Sequence, residues 1–459
     1  MTPGRSSGWW ALLAVAGPLA LFAVAHWLWA TSLRAPLLYG EGAVAHAAML
    51  ARDGLEYAPL AATDGLIFVA ANYPPLYFHL AGIGDPFVTG RVLSIAATLF
   101  VAGAIAWTAR SGGRVVALSL AAAWLAAIPV AAWGPALKPD LVALALTVGA
   151  VLALHARPGH PLVAGVLVAL ATAAKPTAAL PALALAVLLL STDRGAFVRF
   201  AVASLAAGAA VLVATGSANA RMLEHVVYRN ALPWSAEQAA LLGVVGLLVF
   251  GVTIVSLAIR RRTADAIGAY ALAATGIVVL GGREGATLNY LLDLTAAASL
   301  GMAALAPWLR TSVRYPIAVA AQALVAVALL DPFGALPWRG ISSGAWAPPD
   351  RLAVVREIPG DLLVEDAGLL IADGREARVD DIFLWSRLMG RADFPEGERL
   401  LSTVREGGFD AIVSEFDLAR LSQAPLYERQ RWHPALVSAV LDRYRFEREA
   451  AGLFVYRRR

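Results

Sequence analysis

A polytopic α-helical membrane protein with a small C-terminal α/β domain outside the bilayer is the fold class this sequence predicts. Three observations predict it. Of 459 residues, 59% are hydrophobic and only 15% charged, too apolar for the ordinary surface of a water-soluble globule. Apolar stretches of roughly 16 to 22 residues recur along the chain, each about long enough to cross the hydrocarbon core as a helix. Beyond about residue 342 the composition turns charged and mixed, which marks a domain boundary.

The first apolar stretch, Trp9–Ala30, has no small-residue cleavage site leading into a soluble chain and is read as a retained span. Further spans are expected at Val92–Ala109, Val115–Ala132, Leu141–His155, Leu162–Ala173, Thr177–Leu190, Phe200–Thr215, Ala239–Ile259, Ala266–Leu280, Leu288–Ala306 and Tyr315–Leu330. They make about 11 transmembrane helices. Arg110 and Arg114, Arg157, Arg194 and Arg199, the Arg260-Arg261-Arg262 run, and Arg310 with Arg314 fall in alternate loops, on the side of Arg5. The positive-inside rule makes that side cytoplasmic. The 31–90 loop and the segment from Asp331 onward then face the periplasm or its equivalent, outside a plasma membrane. The expected division is a membrane domain over 1–341 and a soluble α/β domain over 342–459.

Net charge +4 and pI ≈ 9.5 mark cytoplasmic loops first of all and do not imply nucleic acid. Cysteine is absent, which excludes disulfides, thiolate metal sites and cysteine nucleophiles. Chemistry is left to carboxylates, bases and hydroxyls.

The only two lysines fall in short outer loops, against the orientation rule, in Leu137-Lys138-Pro139-Asp140 and Ala174-Lys175-Pro176-Thr177. Proline after each places it at a helix start, where backbone donors are free and an anion is welcome. Arg283, in Gly282-Arg283-Glu284-Gly285, is a third outer cation. A snorkelling side chain accounts for any one of them, less readily for three. In the first outer loop Glu41 stands between Gly40 and Gly42, which let other groups approach its carboxylate, although a capping acid reads the same way. The following Ala43–Ala51 can lie flat on the membrane as an amphipathic helix. Asn72-Tyr73-Pro74-Pro75-Leu76-Tyr77-Phe78-His79 then leads toward Arg91; its tyrosines suit the headgroup level. Asp140 opens its span, where the helix dipole favours an acid. Asn289 and Tyr290 enter a later span from the outer side, and polar helix packing explains them equally well.

An acid after the first span, Tyr-Pro-Pro-Leu-Tyr before the second, Lys-Pro-Asp before the fourth and an outer C-terminal domain together resemble the GT-C superfamily of membrane glycosyltransferases. The resemblance is to the group around protein O-mannosyltransferases and the lipid A aminoarabinose transferase, and it covers most of the chain. Here the acidic position reads Gly-Glu-Gly, where many relatives carry Asp or an Asp-Glu pair. The resemblance implies a GT-C-like fold and transfer of one sugar, with inversion, from a polyprenyl phosphate carrier to a glycan, lipid or protein hydroxyl on the outer face. It implies Glu41 as base, with Asp140 as a second site carboxylate that orients the acceptor or joins Glu41 on a divalent cation such as magnesium or manganese. Lys138, Lys175, Arg283 and Arg91 are the candidates for the carrier phosphate; Tyr39, Tyr73, Tyr77, His79, Asn289 and Tyr290 are those for the rest of the substrates.

In the C-terminal segment Leu362–Val364 and Ala411–Val413 read as buried strands, and Glu398–Glu406 and Pro434–Tyr444 as helices. Gly407-Gly408 ends the first of these helices. Asp366, Asp380 and Asp381 read as solvated or capping. A secondary transporter or lipid flippase is the alternative, disfavoured because charge gathers at one face and the spans are nearly free of it, Asp293 excepted. A scaffold for envelope proteins would leave that cluster unexplained.

Overall fold

The computed structural model describes residues 7–58, 65–156, 159–218, 220–260, 265–330, 350–391, 394 and 396–459. Arg5, Arg157, Arg261, Arg262 and the predicted 341/342 boundary lie outside them. The chain begins with α1 (Ser7–Ala30), α2 (Glu41–Leu50), α3 (Pro75–Ala81), α4 (Pro86–Ala109), α5 (Arg114–Leu125), α6 (Ile128–Trp133) and α7 (Asp140–His155). It continues with α8 (Pro161–Ala174), α9 (Ala179–Thr192), α10 (Arg194–Ala214), α11 (Ala220–Leu223), α12 (Ala236–Arg260), α13 (Ala266–Leu280), α14 (Leu292–Ala304), α15 (Ala306–Leu309) and α16 (Arg314–Leu330). Every predicted span contains a helix. Four helical runs, Ser7–Ala30, Pro86–Gly112, Arg194–Ala214 and Ala236–Ile259, are long and apolar enough to cross a bilayer; the other apolar helices are 10–17 residues long.

The bundle is held by wide aromatic anchors whose polar tips find backbone partners. On α1, Trp9 donates through Nε1 to the Leu309 carbonyl (3.2 Å) and Trp27 to that of Ala131 (2.9 Å). Those bonds satisfy the indole donors that burial would otherwise strand. Small residues face inward, as with Ala16, Ala23, Ala150 and Ala164, and let helices approach closely. Large apolar side chains face outward: Leu21, Leu205, Val213 and Leu272 are exposed. An apolar exterior on an apolar interior is the signature of a bundle solvated by lipid. The chain is a multi-pass membrane protein.

Two expectations need correction here. Val115–Ala132 is not one helix: Ala127 is extended (φ −62, ψ 131) and Pro129, which has no amide hydrogen, starts α6 afresh. Nor does the Ala43–Ala51 stretch lie flat on a membrane. Residues 41–48 of α2 are all buried, because α2 is covered by α3 on one side and by the C-terminal segment on the other.

That segment contains α17 (Arg351–Arg356), β1 (Leu362–Val364), α18 (Gly368–Ala372), α19 (Ile382–Leu388), α20 (Glu396–Arg405), β2 (Ala411–Ser414), α21 (Leu426–Arg429), α22 (Pro434–Arg443), β3 (Tyr444–Ala450) and β4 (Leu453–Arg458). The sheet order is β1-β2-β4-β3, with β1 parallel to β2 (Leu363 opposite Ile412) and the other pairs antiparallel. Both expected strands and both expected helices form. The hairpin β3–β4 went unread, since β3 is a charged edge strand with an exposed face. Ile67, Phe68 and Ala70 of the first loop share the core of Trp385, Trp432, Leu436 and Tyr456. Ile67 and Phe68 also donate their amides to the Arg378 carbonyl at 2.7 and 3.0 Å.

Candidate active site

Where the first loop, the starts of α7 and α14 and the C-terminal segment converge, they enclose a cavity of about 310 Å³. Its walls carry three cations, Lys138, Arg283 and Arg431, and three acids, Asp140, Glu284 and Asp381. Tyr39, Asn72, Tyr73, Asn230 and Asn289 supply neutral polar surface. A larger opening of about 480 Å³ between α12 and α16 offers Arg314 and two serines but no carboxylate, so it lacks the paired charges of a reaction site.

Local sequence explains each placement. Pro139 (φ −72, ψ −10) caps α7 and makes Asp140 its first residue, with a carboxylate at the positive end of the helix. Lys175 closes α8 in the extended conformation (φ −146, ψ 127) that a following proline demands, which turns its side chain back to α7. Lys175 Nζ lies 2.6 Å from Asp140 Oδ1 and 5.3 Å from the centre of the Tyr290 ring. Burial alone would depress this lysine, but Asp140 raises it above its ordinary value. Asn289 donates to the same Asp140 oxygen at 2.7 Å, while Asp140 Oδ2 is buried without a partner among the described residues.

Lys138 is the contrast. Its ammonium has no hydrogen bond or ion pair among the described residues, although Glu41, Asp140 and Asp381 are near enough to act on it. A Cβ on Gly40 (φ +78) would stand 2.9 Å from Lys138 Nζ, so only glycine gives the ammonium this room. Arg283 reaches the Asn230 carbonyl and Oδ1 through Nη1 at 2.8 and 3.1 Å; its Nε is buried without a partner among the described residues. Asn230 in turn donates to the Asn72 carbonyl at 2.7 Å.

The C-terminal segment forms the opposite wall. Arg431 stacks 4.1 Å over the Tyr39 ring and donates through Nη1 to Glu365 and Glu415 at 3.0 and 2.7 Å. The Tyr39 hydroxyl accepts from the Phe383 amide at 3.1 Å and donates to Asp381 Oδ1 at 3.3 Å. Glu284 is gripped by Arg387 of α19 through two bonds of 2.7 and 3.0 Å.

Of the residues singled out in sequence, Tyr39, Tyr73, Lys138, Asp140, Arg283 and Asn289 line the cavity, and Lys175 and Tyr290 stand directly behind Asp140. The other four are not at the cavity wall. Glu41 has no accessible surface: Oε2 accepts from Leu37 N (2.7 Å) and Arg91 Nη2 (3.0 Å), and Oε1 from Leu137 N (2.8 Å). Arg91 is equally buried and its Nη1 and Nη2 also donate to the carbonyls of Ala30, Leu33 and Ala35, so it is a brace and not a phosphate ligand. Tyr77 is buried with its hydroxyl on the Gly90 carbonyl (3.3 Å), and His79 pairs with Glu56 at 3.2 Å. Among the described residues no three His, Asp or Glu side chains are grouped to hold a metal ion.

Three charged wall residues were not singled out as site residues in sequence. Glu284 shares the glycine-flanked loop of Arg283, a signal that was present. Asp381 caps α19 as expected, accepting from Leu384 N at 2.9 Å, but Asp366, Asp380 and Asp381 are all buried and not solvated. Arg431 is one arginine among many in its segment and carries no local mark.

No protein-family model matches this chain, and no curated protein matches it. Solved structures do. The apo-state crystal structure of ArnT from Cupriavidus metallidurans superposes with a TM-score of 0.56 at 15% identity, covering 96% of this chain and 98% of that one. The structure of the same ArnT bound to undecaprenyl phosphate gives 0.51 at 14% identity over the same shares. The cavity described above therefore sits in a chain whose fold is similar to that of ArnT over 96% of its length.

Proposed function

We propose that this protein is an inverting glycosyltransferase that moves one sugar from a polyprenyl phosphate carrier to an acceptor hydroxyl at the outer face of a plasma membrane. The observation that supports it above others is Lys138, whose ammonium makes no hydrogen bond or ion pair among the described residues and which lines a walled cavity at the end of an apolar bundle. A cation in that position suits a phosphate whose charge grows as the sugar leaves, and low surrounding polarity strengthens the attraction. Arg283 adds a second donor from the neighbouring loop. The ArnT structure bound to undecaprenyl phosphate supports a polyprenyl carrier for this chain as well.

In this reading Asp140, fixed by Lys175 and Asn289, presents a carboxylate toward the anomeric carbon and stabilises the positive charge that develops there. Glu41 acts at a distance: with Arg91 it fixes the turn that carries Tyr39 and Gly40 into the cavity. A flippase reading leaves the pairing of acids and cations in one end cavity without a purpose.

The test is transfer of radiolabelled sugar from a panel of polyprenyl phosphate donors to endogenous acceptors in membranes containing wild type or Lys138→Met. Wild-type transfer that collapses in the variant at equal protein level supports the reading. No transfer from any donor by wild type overturns it.

A further inference from the structure

The C-terminal segment does more than cover the site: it supplies a carboxylate that the membrane helices do not. Three acids line the cavity, and two are neutralised. Asp140 is bonded to Lys175, and Glu284 is held by Arg387. Asp381 makes no ion pair among the described residues; its bonds come from two neutral donors, Leu384 N and the Tyr39 hydroxyl, both on Oδ1. No bond to Oδ2 is made among the described residues, and Asp381 lines the cavity. A carboxylate bound to a cation is a poor base, whereas one held by neutral donors keeps its proton affinity.

Building on the transferase reading, we propose that Asp381 is the general base that takes the proton from the acceptor hydroxyl. In the step, the acceptor O–H bond breaks and its proton goes to Asp381 Oδ2 as the oxygen bonds to the anomeric carbon. The bond from that carbon to the phosphate oxygen breaks, and its electron pair leaves with the polyprenyl phosphate, whose charge Lys138 and Arg283 receive. The proton is afterwards lost to water, so atoms and charge balance without a further reactant. Tyr39 orients the base: because its hydroxyl accepts from Phe383 N, its own hydrogen is directed at Asp381. Donor phosphate and acceptor base thus come from opposite walls, the first from the bundle and the second from the C-terminal segment.

Burial, with Asp380 alongside, raises Asp381 to about 6, and Lys138 and Tyr39 oppose the rise. The other charged groups sharing the space are Asp140, Arg283, Glu284 and Arg431. A base with this pKa gives a rate that climbs with pH through about 6 and then levels.

The experiment uses the full chain in membranes with the donor panel above, measuring transfer rate against pH for wild type, Asp381→Asn, Asp381→Glu and Tyr39→Phe. Asparagine keeps the Oδ1 cap on Leu384, so the variant retains its local fold; accumulation and thermal melting verify this. The expected loss in Asp381→Asn is about 10²- to 10⁴-fold in kcat, with the acidic limb abolished. Asp381→Glu recovers part of the rate together with the limb, and Tyr39→Phe moves the limb to higher pH by removing a bond that favours the anion. An active wild type with Asp381→Asn at an equal rate and an unchanged limb overturns this inference and leaves the transferase reading standing. A wild type that transfers nothing overturns both.

Discussion

Glu41 and Arg91 form an ion pair with no accessible surface, 3.0 Å between Oε2 and Nη2, which ties the turn after α1 to the second long helix. Removing one partner strands the other charge, whereas the pair itself contributes little beyond its hydrogen bonds. Arg91→Leu is expected to cost about 3–5 kcal/mol and to abolish accumulation of folded protein. Glu41→Gln keeps one carbonyl acceptor, so it lowers the melting temperature while transfer per folded molecule stays within about threefold, since a residue outside the cavity contributes no transition-state contact. Melting in detergent and accumulation-normalised transfer rates check both. A well-folded Glu41→Gln protein that is catalytically dead contradicts the structural role.

Lys138 and Lys175 look alike in sequence and differ in what they hold. Losing a charge-assisted contact to the donor phosphate in Lys138→Met is expected to weaken donor recognition by about 10- to 100-fold. The effect belongs in kcat/KM for the donor, in kcat as well as KM because the contact strengthens as the phosphate leaves, and in competition by free undecaprenyl phosphate. Lys175→Met instead leaves Asp140 buried and unpaired, and is expected to lower folded yield and kcat together. If both variants show the same pattern, the two lysines share one role.

Much of this was legible in the chain. Apolar length placed a helix within every expected span, though it missed the break at Ala127 and the short helices between spans, and a lysine followed by proline marked both ends of the Asp140 pair, because helix starts have local rules. What escaped depends on distant neighbours. Glu41 reads as an exposed acid between two glycines until Leu137, 96 positions away, turns its amide to it. Asp381 and Arg431 reach the cavity only because the first loop threads into the C-terminal core at Ile67 and Phe68. No periodicity encodes that docking.

Gly42 is where the docking is closest. A Cβ there would lie 2.2 Å from the Gly368 amide nitrogen, a backbone atom that cannot swing aside. Gly42→Ala therefore has to separate α2 from α18, and is expected to cost about 1–3 kcal/mol, the range for overpacking. Faster limited proteolysis of the C-terminal segment, with the bundle intact, is the expected signature. An unaltered digestion pattern refutes the tight contact.

The Glu284–Arg387 fork joins the 281–287 loop to α19 beside Asp381, with side chains 18% and 30% exposed. Partial solvent access limits its worth to about 1 kcal/mol. Arg387→Ala should thus barely shift the melting temperature while loosening α19, seen as faster amide exchange over residues 382–388. Protection equal to wild type means that apolar contacts alone seat the helix.

Asp366 gives the protein a pH-dependent stability that is separate from catalysis. Burial, reinforced by Glu415 and Glu41, raises it from 3.8 to about 8, while its Oδ1 still accepts from Gly368 N at 3.0 Å. In the folded state the group stays protonated through a range in which the unfolded chain ionises. Its contribution is therefore complete below about 4 and is lost as pH rises toward 8, by an amount on the order of a few kcal/mol. Asp366→Asn preserves the acceptor for Gly368 and removes the ionisation. The two proteins should melt nearly together at pH 4, and the variant should become progressively more stable than wild type up to pH 8. Parallel melting curves across that interval show that Asp366 ionises as freely in the folded protein as in the unfolded one.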